Sequence, residues 1–97
     1  MNVHDLLKAK DLEHGRVENV SHTFCSLCDV FYSSRNYATM TEVERMSTLM
    51  ILMKLSRAMS GGRVKDHWTD MGGYAQLVIN EIEASEAVDG GYGEQGL

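Results

Sequence analysis

The chain has 97 residues, which make one small domain, and its 43% hydrophobic and 24% charged residues are typical of a globular protein. This composition argues against a disordered, collagen-like or membrane-spanning chain, and the net charge of −5 disfavours general binding to nucleic acid or anionic lipid. The absence of proline, together with seven methionines, favours a chain made mostly of helix, because proline interrupts helices.

The first part of the sequence predicts two helices. The first covers residues 3–12, with Asn2 as its N-cap, and it ends at Gly15, which can adopt the positive φ of a helix terminus. The second covers residues 17–31, where apolar residues recur in steps of three and four and so match the helical period. This second helix should end near Ser33.

The second helix carries a His22-x-x-Cys25-x-x-Cys28 pattern. Thiolate and imidazole are zinc ligands, but a fourth ligand is missing, and a redox pair normally lies at a helix N-terminus. The simplest interpretation is that the two cysteines are small core residues. Two cysteines are too few for a disulfide framework, and no charged segment followed by an apolar run opens the sequence, so we expect an intracellular, cytoplasmic protein.

A third helix is predicted from Thr41 to about Ser60. Thr41 and Glu44 form a capping box at its start, and Gly61 and Gly62 end it. Its apolar residues cover more than one face, as in a helix that is either central in a bundle or shared with another subunit. Because a domain of this size has little interior in which to bury such a helix, we favour a homo-oligomer.

The fourth predicted helix begins at Asp66 as its N-cap and continues to about residue 86. Gly72 and Gly73 lie inside it, and each costs about 1 kcal/mol relative to alanine, so we expect a close approach by another helix or a ligand there. The Gly-rich residues 88–97 show no periodicity and predict a flexible tail. The expected fold is therefore a single all-α domain over residues 1–87, a small antiparallel bundle of three or four helices.

The basic residues are concentrated in one segment. Residues 45–65 contain five basic residues and no acidic one, which gives this segment a charge of +5. The rest of the chain therefore carries −10, and the two add up to the net charge of −5. Lys54 and Arg57 share one helix face, and Asp66 and Asp70 share a face of the next helix. The simpler interpretation is direct ion pairing that fixes the two helices as a hairpin. The alternative is a pocket in which the cations hold phosphate and the carboxylates hold Mg²⁺ or a ribose hydroxyl.

Three further side chains bear on ligand binding. Trp68 and Tyr74 flank the glycine pair and suit stacking on a base, although ordinary core packing explains them as well. His14 could bind phosphate or donate a proton near neutral pH, or it could simply be solvated. The sequence contains no recognisable Ser-His-Asp arrangement and no Gly-rich phosphate loop, so no catalytic residue is assigned.

Three segments within residues 11–80 also form a pattern when they are taken together. They are His14-Gly15-x-x-Glu18-Asn19, Leu52-Met53-Lys54-Leu55-Ser56-Arg57 and Lys65-Asp66-His67-Trp68-x-Asp70-Met71-Gly72-Gly73-Tyr74-Ala75-x-Leu77. This pattern resembles that of small phage and prophage proteins of unassigned function, which in turn look like distant relatives of the MazG-like all-α nucleoside triphosphate pyrophosphohydrolases.

The resemblance implies a MazG-like pair of helices that assembles into dimers or tetramers and handles nucleotides between its helices. The enzymes bind Mg²⁺ through a Glu-x-x-Glu and a Glu-x-x-Asp motif, and this chain departs from both. Glu42 and Glu44 point to different faces, and the next helix has Asp66-x-x-x-Asp70, although Glu18 could add a third carboxylate. A two-metal hydrolase needs several clustered carboxylates, so the departure argues against catalysis and leaves the binding of a phosphorylated ligand.

Three functional hypotheses follow. The first is a phage-type protein in the bacterial host cell that binds a nucleotide or nucleotide-derived signal, in nucleotide metabolism or in counter-defence. Its expected ligand-binding residues are His14, Gly15, Asn19, Lys54, Arg57, Asp66, Asp70 and Tyr74. The second is a Mg²⁺-dependent pyrophosphohydrolase in which Glu18, Asp66 and Asp70 hold the metal. The third is a protein-interaction module that inhibits a host (defence) enzyme through its acidic surface and needs no small molecule.

Overall fold

The computed structural model describes residues 2–93, with side chains described as far as residue 88. In this part of the chain helices are the only regular secondary structure, so the predicted all-α class is confirmed. Its elements are α1 (Val3–His14), α2 (Val17–Tyr32), the short 3₁₀ helix η1 (Tyr37–Thr39), α3 (Glu42–Ser60) and α4 (Lys65–Gly93). None of these helices is long and apolar enough to cross a membrane.

Two of the three predicted N-caps, Asn2 and Thr41, are confirmed. The Asn2 side chain accepts from the Asp5 amide at 2.9 Å. At the start of α3 the Thr41 hydroxyl accepts from the Glu44 amide at 3.1 Å, while the Glu44 carboxylate accepts from the Thr41 amide at 2.8 Å. Thr41 also donates to Glu81 at 2.6 Å, which ties the start of α3 to the middle of α4. The cap therefore fixes both the helix start and the position of its neighbour.

The boundaries of α4 differ from the prediction at both ends. The helix begins at Lys65, so Asp66 lies in its first turn rather than at the N-cap. In the first turn its negative charge still interacts favourably with the positive end of the helix dipole. At the other end the helix continues to Gly93, because no proline interrupts it. The predicted tail over residues 88–97 thus begins inside α4, and residues 94–97 lie outside the described part of the chain.

Helix α3 lies in the middle of the molecule, between α2 and α4. Two serines on α3, Ser47 and Ser56, have no exposed surface, and nine residues at 100° each place them on opposite sides of the helix. Ser47 lies almost in line with Lys54, which pairs with Asp70 of α4, so Ser47 faces α4 and Ser56 faces α2. The three helices therefore form one layer, and the central alternative for α3 is confirmed.

The core of this layer is small. Within the described residues the buried apolar side chains are Val20, Cys28 and Phe31, all on α2. The radius of gyration is 17.8 Å, whereas a compact domain of this length has about 12.5 Å. Large apolar side chains stay exposed on every α-helix, at Val3, Leu6, Leu7, Leu12, Val17, Val30, Tyr32, Met46, Met59, Trp68, Leu77, Ile79, Ile82 and Val88. The protomer thus leaves much of its apolar surface in water.

The glycine pair in α4 is not covered by another helix. A Cβ built on Gly72 or on Gly73 meets no heavy atom within 4 Å in the described chain. The expectation of a close helix approach at this point is therefore wrong for a single protomer. The outer surface of α4 is therefore open at both glycines.

Candidate functional site

The turn between α1 and α2 packs directly against the turn between α3 and α4. Gly15 ends α1 with φ 87° and ψ 171°, and a Cβ on it would lie 2.5 Å from the Ser60 carbonyl carbon. A Cβ on Gly61 would lie 2.5 Å from the backbone carbonyl oxygen of Glu13, and the Gly62 amide donates to the Leu12 carbonyl at 3.1 Å. We call this contact, formed by Gly15, Gly61 and Gly62, the glycine joint; it allows backbone to touch backbone.

Two histidines pack together beside the glycine joint. The rings of His14 and His67 have centroids 5.1 Å apart, and His67 is only 2% exposed. Nε2 of His67 donates to the Glu13 carbonyl at 3.2 Å, which requires a proton on that nitrogen. Nδ1 of His14 is buried and has no hydrogen-bond partner in the described chain. Burial, with further contributions from the charges of Arg57 and His67, lowers the pKa of His14.

Lys54 and Asp70 form an ion pair between α3 and α4. Nζ of Lys54 lies 3.0 Å from Oδ2 of Asp70, and the lysine side chain is 17% exposed while the aspartate is 45% exposed. The structure thus contains the simpler of the two arrangements expected for this pair. One turn further along α3, Arg57 has no carboxylate within 4 Å in the described chain. Its positive charge is close enough to His14 to contribute to the lowered pKa of that histidine. Arg57 is therefore a cation without an ionic partner.

A shallow groove of about 340 Å³ opens beside Asp70. It is lined by Thr69, Asp70, Gly73, Tyr74 and Leu77. Tyr74 is half-buried, so its ring is fixed by packing while one side faces the groove. The groove has room for part of a small ligand next to the carboxylate.

The remaining predicted residues lie apart from this cluster. Gly15 is buried in the glycine joint, where it serves packing. Asn19 and Asp66 are exposed, and the exposed Glu18 pairs with Arg16 at 3.5 Å. Across the described residues, no three His, Cys, Asp or Glu side chains come together as a metal site needs. A single chain therefore does not assemble Glu18, Asp66 and Asp70 around one ion.

The histidine and cysteines of α2 also do not form a site. Cys28 is buried in the core as expected, and burial raises the pKa of its thiol, whereas Cys25 is exposed. His22 is exposed as well. The interpretation as core residues is thus confirmed for Cys28 and wrong for Cys25, because the helix turns Cys25 toward solvent.

His67 is the residue that sequence reasoning missed. Its spacing contained a signal, since His67, Met71, Tyr74 and Val78 follow one another at four, three and four residues and form the stripe of α4 that packs on α3. A histidine at the first position of such a stripe is expected to be buried and to need a hydrogen-bond partner. The partner is the Glu13 carbonyl, which comes from a distant part of the sequence.

Comparison with known proteins gives a family and no function. No curated protein and no solved structure matches the chain significantly. The family model described as a domain of unknown function (DUF6378) matches residues 6–82, which include the glycine joint, the histidine pair and the Lys54–Asp70 pair. The chain therefore belongs to the DUF6378 family of domains of unknown function.

Proposed function

We propose that this protein binds the phosphate of a nucleotide or nucleotide-derived ligand on the surface formed by His14, Lys54, Arg57 and Asp70. One observation carries the proposal. Three segments that are distant in sequence, and that together carry the resemblance to phage proteins, meet at one end of α3. The contact of His14 with His67 joins the first to the third, and the Lys54–Asp70 pair joins the second to the third.

The charges at this end of α3 suit a phosphate. Arg57 presents a planar guanidinium that can bind two phosphate oxygens, and it has no carboxylate partner in the described chain. The Lys54 side chain is 17% exposed and the Asp70 side chain is 45% exposed, so the pair is open to solvent on the aspartate side, where a ligand phosphate can compete for the lysine. Asp70 would then be free to accept from a ribose hydroxyl or to bind Mg²⁺.

Binding without hydrolysis is the form of this function that we favour. A two-metal hydrolase needs clustered carboxylates, and the described part of one chain gathers no group of three metal-binding side chains. The resemblance to phage proteins adds a biological setting, either nucleotide metabolism during infection or sequestration of a host defence signal in the bacterial cytoplasm. The many exposed apolar side chains support a homo-oligomer as the working unit.

Thermal melting with a panel of ligands tests the proposal. The panel contains nucleoside mono-, di- and triphosphates and cyclic dinucleotides, each with and without Mg²⁺, and the mixtures are then separated by chromatography. A binding protein melts at a higher temperature and returns its ligand intact, because ligand that binds only the folded state stabilises it. Release of monophosphate and pyrophosphate would instead show a pyrophosphohydrolase.

Two matched arginine variants locate the binding surface. Arg57→Gln should abolish the ligand-dependent rise in melting temperature, whereas Arg35→Gln, in the connection at the other end of α3, should keep it. Both variants remove one charge, so a general electrostatic effect would lower both equally. If no ligand raises the melting temperature of the wild-type chain, the nucleotide proposal fails. The hypothesis of an inhibitor of a host protein would then take its place.

A further inference from the structure

One side of α4 carries a continuous apolar row that the protomer leaves uncovered. Its residues follow one another at four, three, four and three positions, the spacing by which one helix packs along another. We call this row the α4 seam; it consists of Trp68, Gly72, Ala75, Ile79 and Ile82. Trp68 is 60% exposed and both isoleucines are 46% exposed. The seam is distinct from the buried stripe of α4 that begins at His67.

The protomer has the surface excess that a dimer interface requires. Domains are normally built from at least two packed layers of secondary structure, and α2, α3 and α4 form only one. The chain exposes 7069 Å², whereas a folded monomer of 10.8 kDa exposes about 5,500 Å². A stable interface covers about 800 Å² on each partner. The excess belongs to the whole chain, and the α4 seam supplies part of it.

We infer that the α4 seam binds the α4 seam of a second copy of this chain, with the two helices antiparallel and the two-fold axis at Ala75. This register places Trp68 level with Ile82 of the other copy, and it places Ile79 of the other copy one residue from the level of Gly72. Ala75 then meets its own equivalent. The open space at Gly72, where no heavy atom lies within 4 Å, receives an isoleucine, whereas Trp68 and Ile82 form a large apolar contact at each end of the seam.

The charges beside the seam also favour the antiparallel arrangement. In this register Glu86 of one copy lies opposite residue 64 of the other, between Arg63 and Lys65. A hollow of about 490 Å³ is present at that position, lined by Ala58, Gly62, Arg63, Val64, Lys65 and Trp68. A parallel dimer would instead place Glu86 beside Glu86 and Trp68 beside Trp68. The antiparallel pair thus brings opposite charges together and places Ile79 beside the open Gly72.

This interface goes beyond the proposed ligand binding and does not depend on it. Asp70 is two residues from Trp68 and two from Gly72, which places it about 160° around the helix from either. The Lys54–Asp70 pair and the groove beside it therefore face away from the seam. Loss of the dimer would leave the ligand surface in place, and loss of ligand binding would leave the dimer.

Sedimentation equilibrium of two glycine variants tests the inference. Gly72→Leu places a side chain in the space meant for Ile79 of the other copy, whereas Gly73→Leu makes the same change on the opposite flank of α4. Neither new side chain meets an atom of its own protomer at the Cβ position, so both variants should fold, which circular dichroism checks. We expect Gly72→Leu to raise the dimer Kd at least 10-fold and Gly73→Leu to leave it within twofold.

Charge reversal tests the direction of the two helices. Glu86→Lys and Lys65→Glu should each raise the dimer Kd a few-fold, and an equal mixture of the two variants should restore it, because each copy then offers the charge that the other lost. A mixture no tighter than the separate variants would overturn the antiparallel register. A wild-type chain that stays monomeric at 100 µM (on the order of 100-fold above a micromolar Kd), or equal effects of the two glycine variants, would overturn the seam itself.

Discussion

Replacing Gly15 by alanine should destabilise the protein strongly, because this glycine is held in a conformation and a space that admit no side chain. Its φ of 87° and ψ of 171° lie in a region used almost only by glycine. The added Cβ would also lie 2.5 Å from the backbone of Ser60, which cannot rotate away as a flexible side chain could. Two separate costs therefore add at one position.

The magnitude follows from these two costs. The backbone conformation costs an alanine about 1–3 kcal/mol, and overpacking against a fixed neighbour costs about 1–3 kcal/mol more. We therefore expect Gly15→Ala to lower the free energy of unfolding by about 2–6 kcal/mol. A domain of this length has a total of about 5–15 kcal/mol, and 1 kcal/mol corresponds to about 4–8 °C. The melting temperature should thus fall by at least about 8 °C.

Urea and thermal unfolding, followed by circular dichroism at one fixed protein concentration, measure this change. Gly73→Ala is the matched control, because it makes the same substitution at a helical, open position. That control should raise the free energy of unfolding by about 1 kcal/mol, since alanine is the better helix former. A loss below about 1 kcal/mol for Gly15→Ala would contradict the backbone contact at the glycine joint.

Three further predictions concern single side chains. Ser47→Ala should raise the free energy of unfolding by about 1 kcal/mol, because the Ser47 hydroxyl is buried and has no hydrogen-bond partner in the described chain. Ser56→Ala should not raise it, since the Ser56 hydroxyl donates to the Leu52 carbonyl at 2.7 Å. Chemical denaturation of the two variants makes the comparison. Stability should fall as the pH drops below about 6.5, because the pKa of His14 is lower in the folded than in the unfolded chain, and His14→Gln should flatten this slope in unfolding curves from pH 5 to 8. Asp70→Asn should cost about 1 kcal/mol in the same unfolding assay, since the asparagine side-chain oxygen can still accept from Lys54 and Asp70 itself is 45% exposed. A loss of 3 kcal/mol or more would show that Asp70 is a structural anchor.

The sequence predicted the local features of this fold well, because each depends on neighbouring residues. Short sequence patterns predicted the capping box at Thr41, the end of α3 at Gly61 and the positive φ of Gly15. These features need no knowledge of what lies across the layer. The width of the apolar surface of α3 left two alternatives, of which we favoured an interface with another subunit, and the structure of one chain shows the central position.

The candidate site was less predictable, because it depends on contacts between distant segments. No short pattern indicates that Gly15 touches Ser60, or that a carbonyl at Glu13 accepts from His67. Backbone contacts of this kind are decided when two turns meet, and either turn alone is compatible with many neighbours. The Lys54–Asp70 pair was foreseen as one of two arrangements, since both interpretations place the same charges on facing helices.

The structure also separates the residues of the phage-like pattern by what already occupies their polar groups. Gly15 serves backbone packing, His67 donates to a carbonyl, and the side chains of Lys54 and Asp70 neutralise each other. In the described chain Arg57 has no ionic partner and Nδ1 of His14 has no hydrogen-bond partner, and these two groups lie close enough for the arginine to lower the histidine pKa. The buried Nδ1 of His14 costs the empty protein stability because it lacks a partner, whereas the half-buried Arg57 guanidinium stays available to an anionic ligand. Arg57 is therefore the position at which ligand binding and fold stability should separate most cleanly.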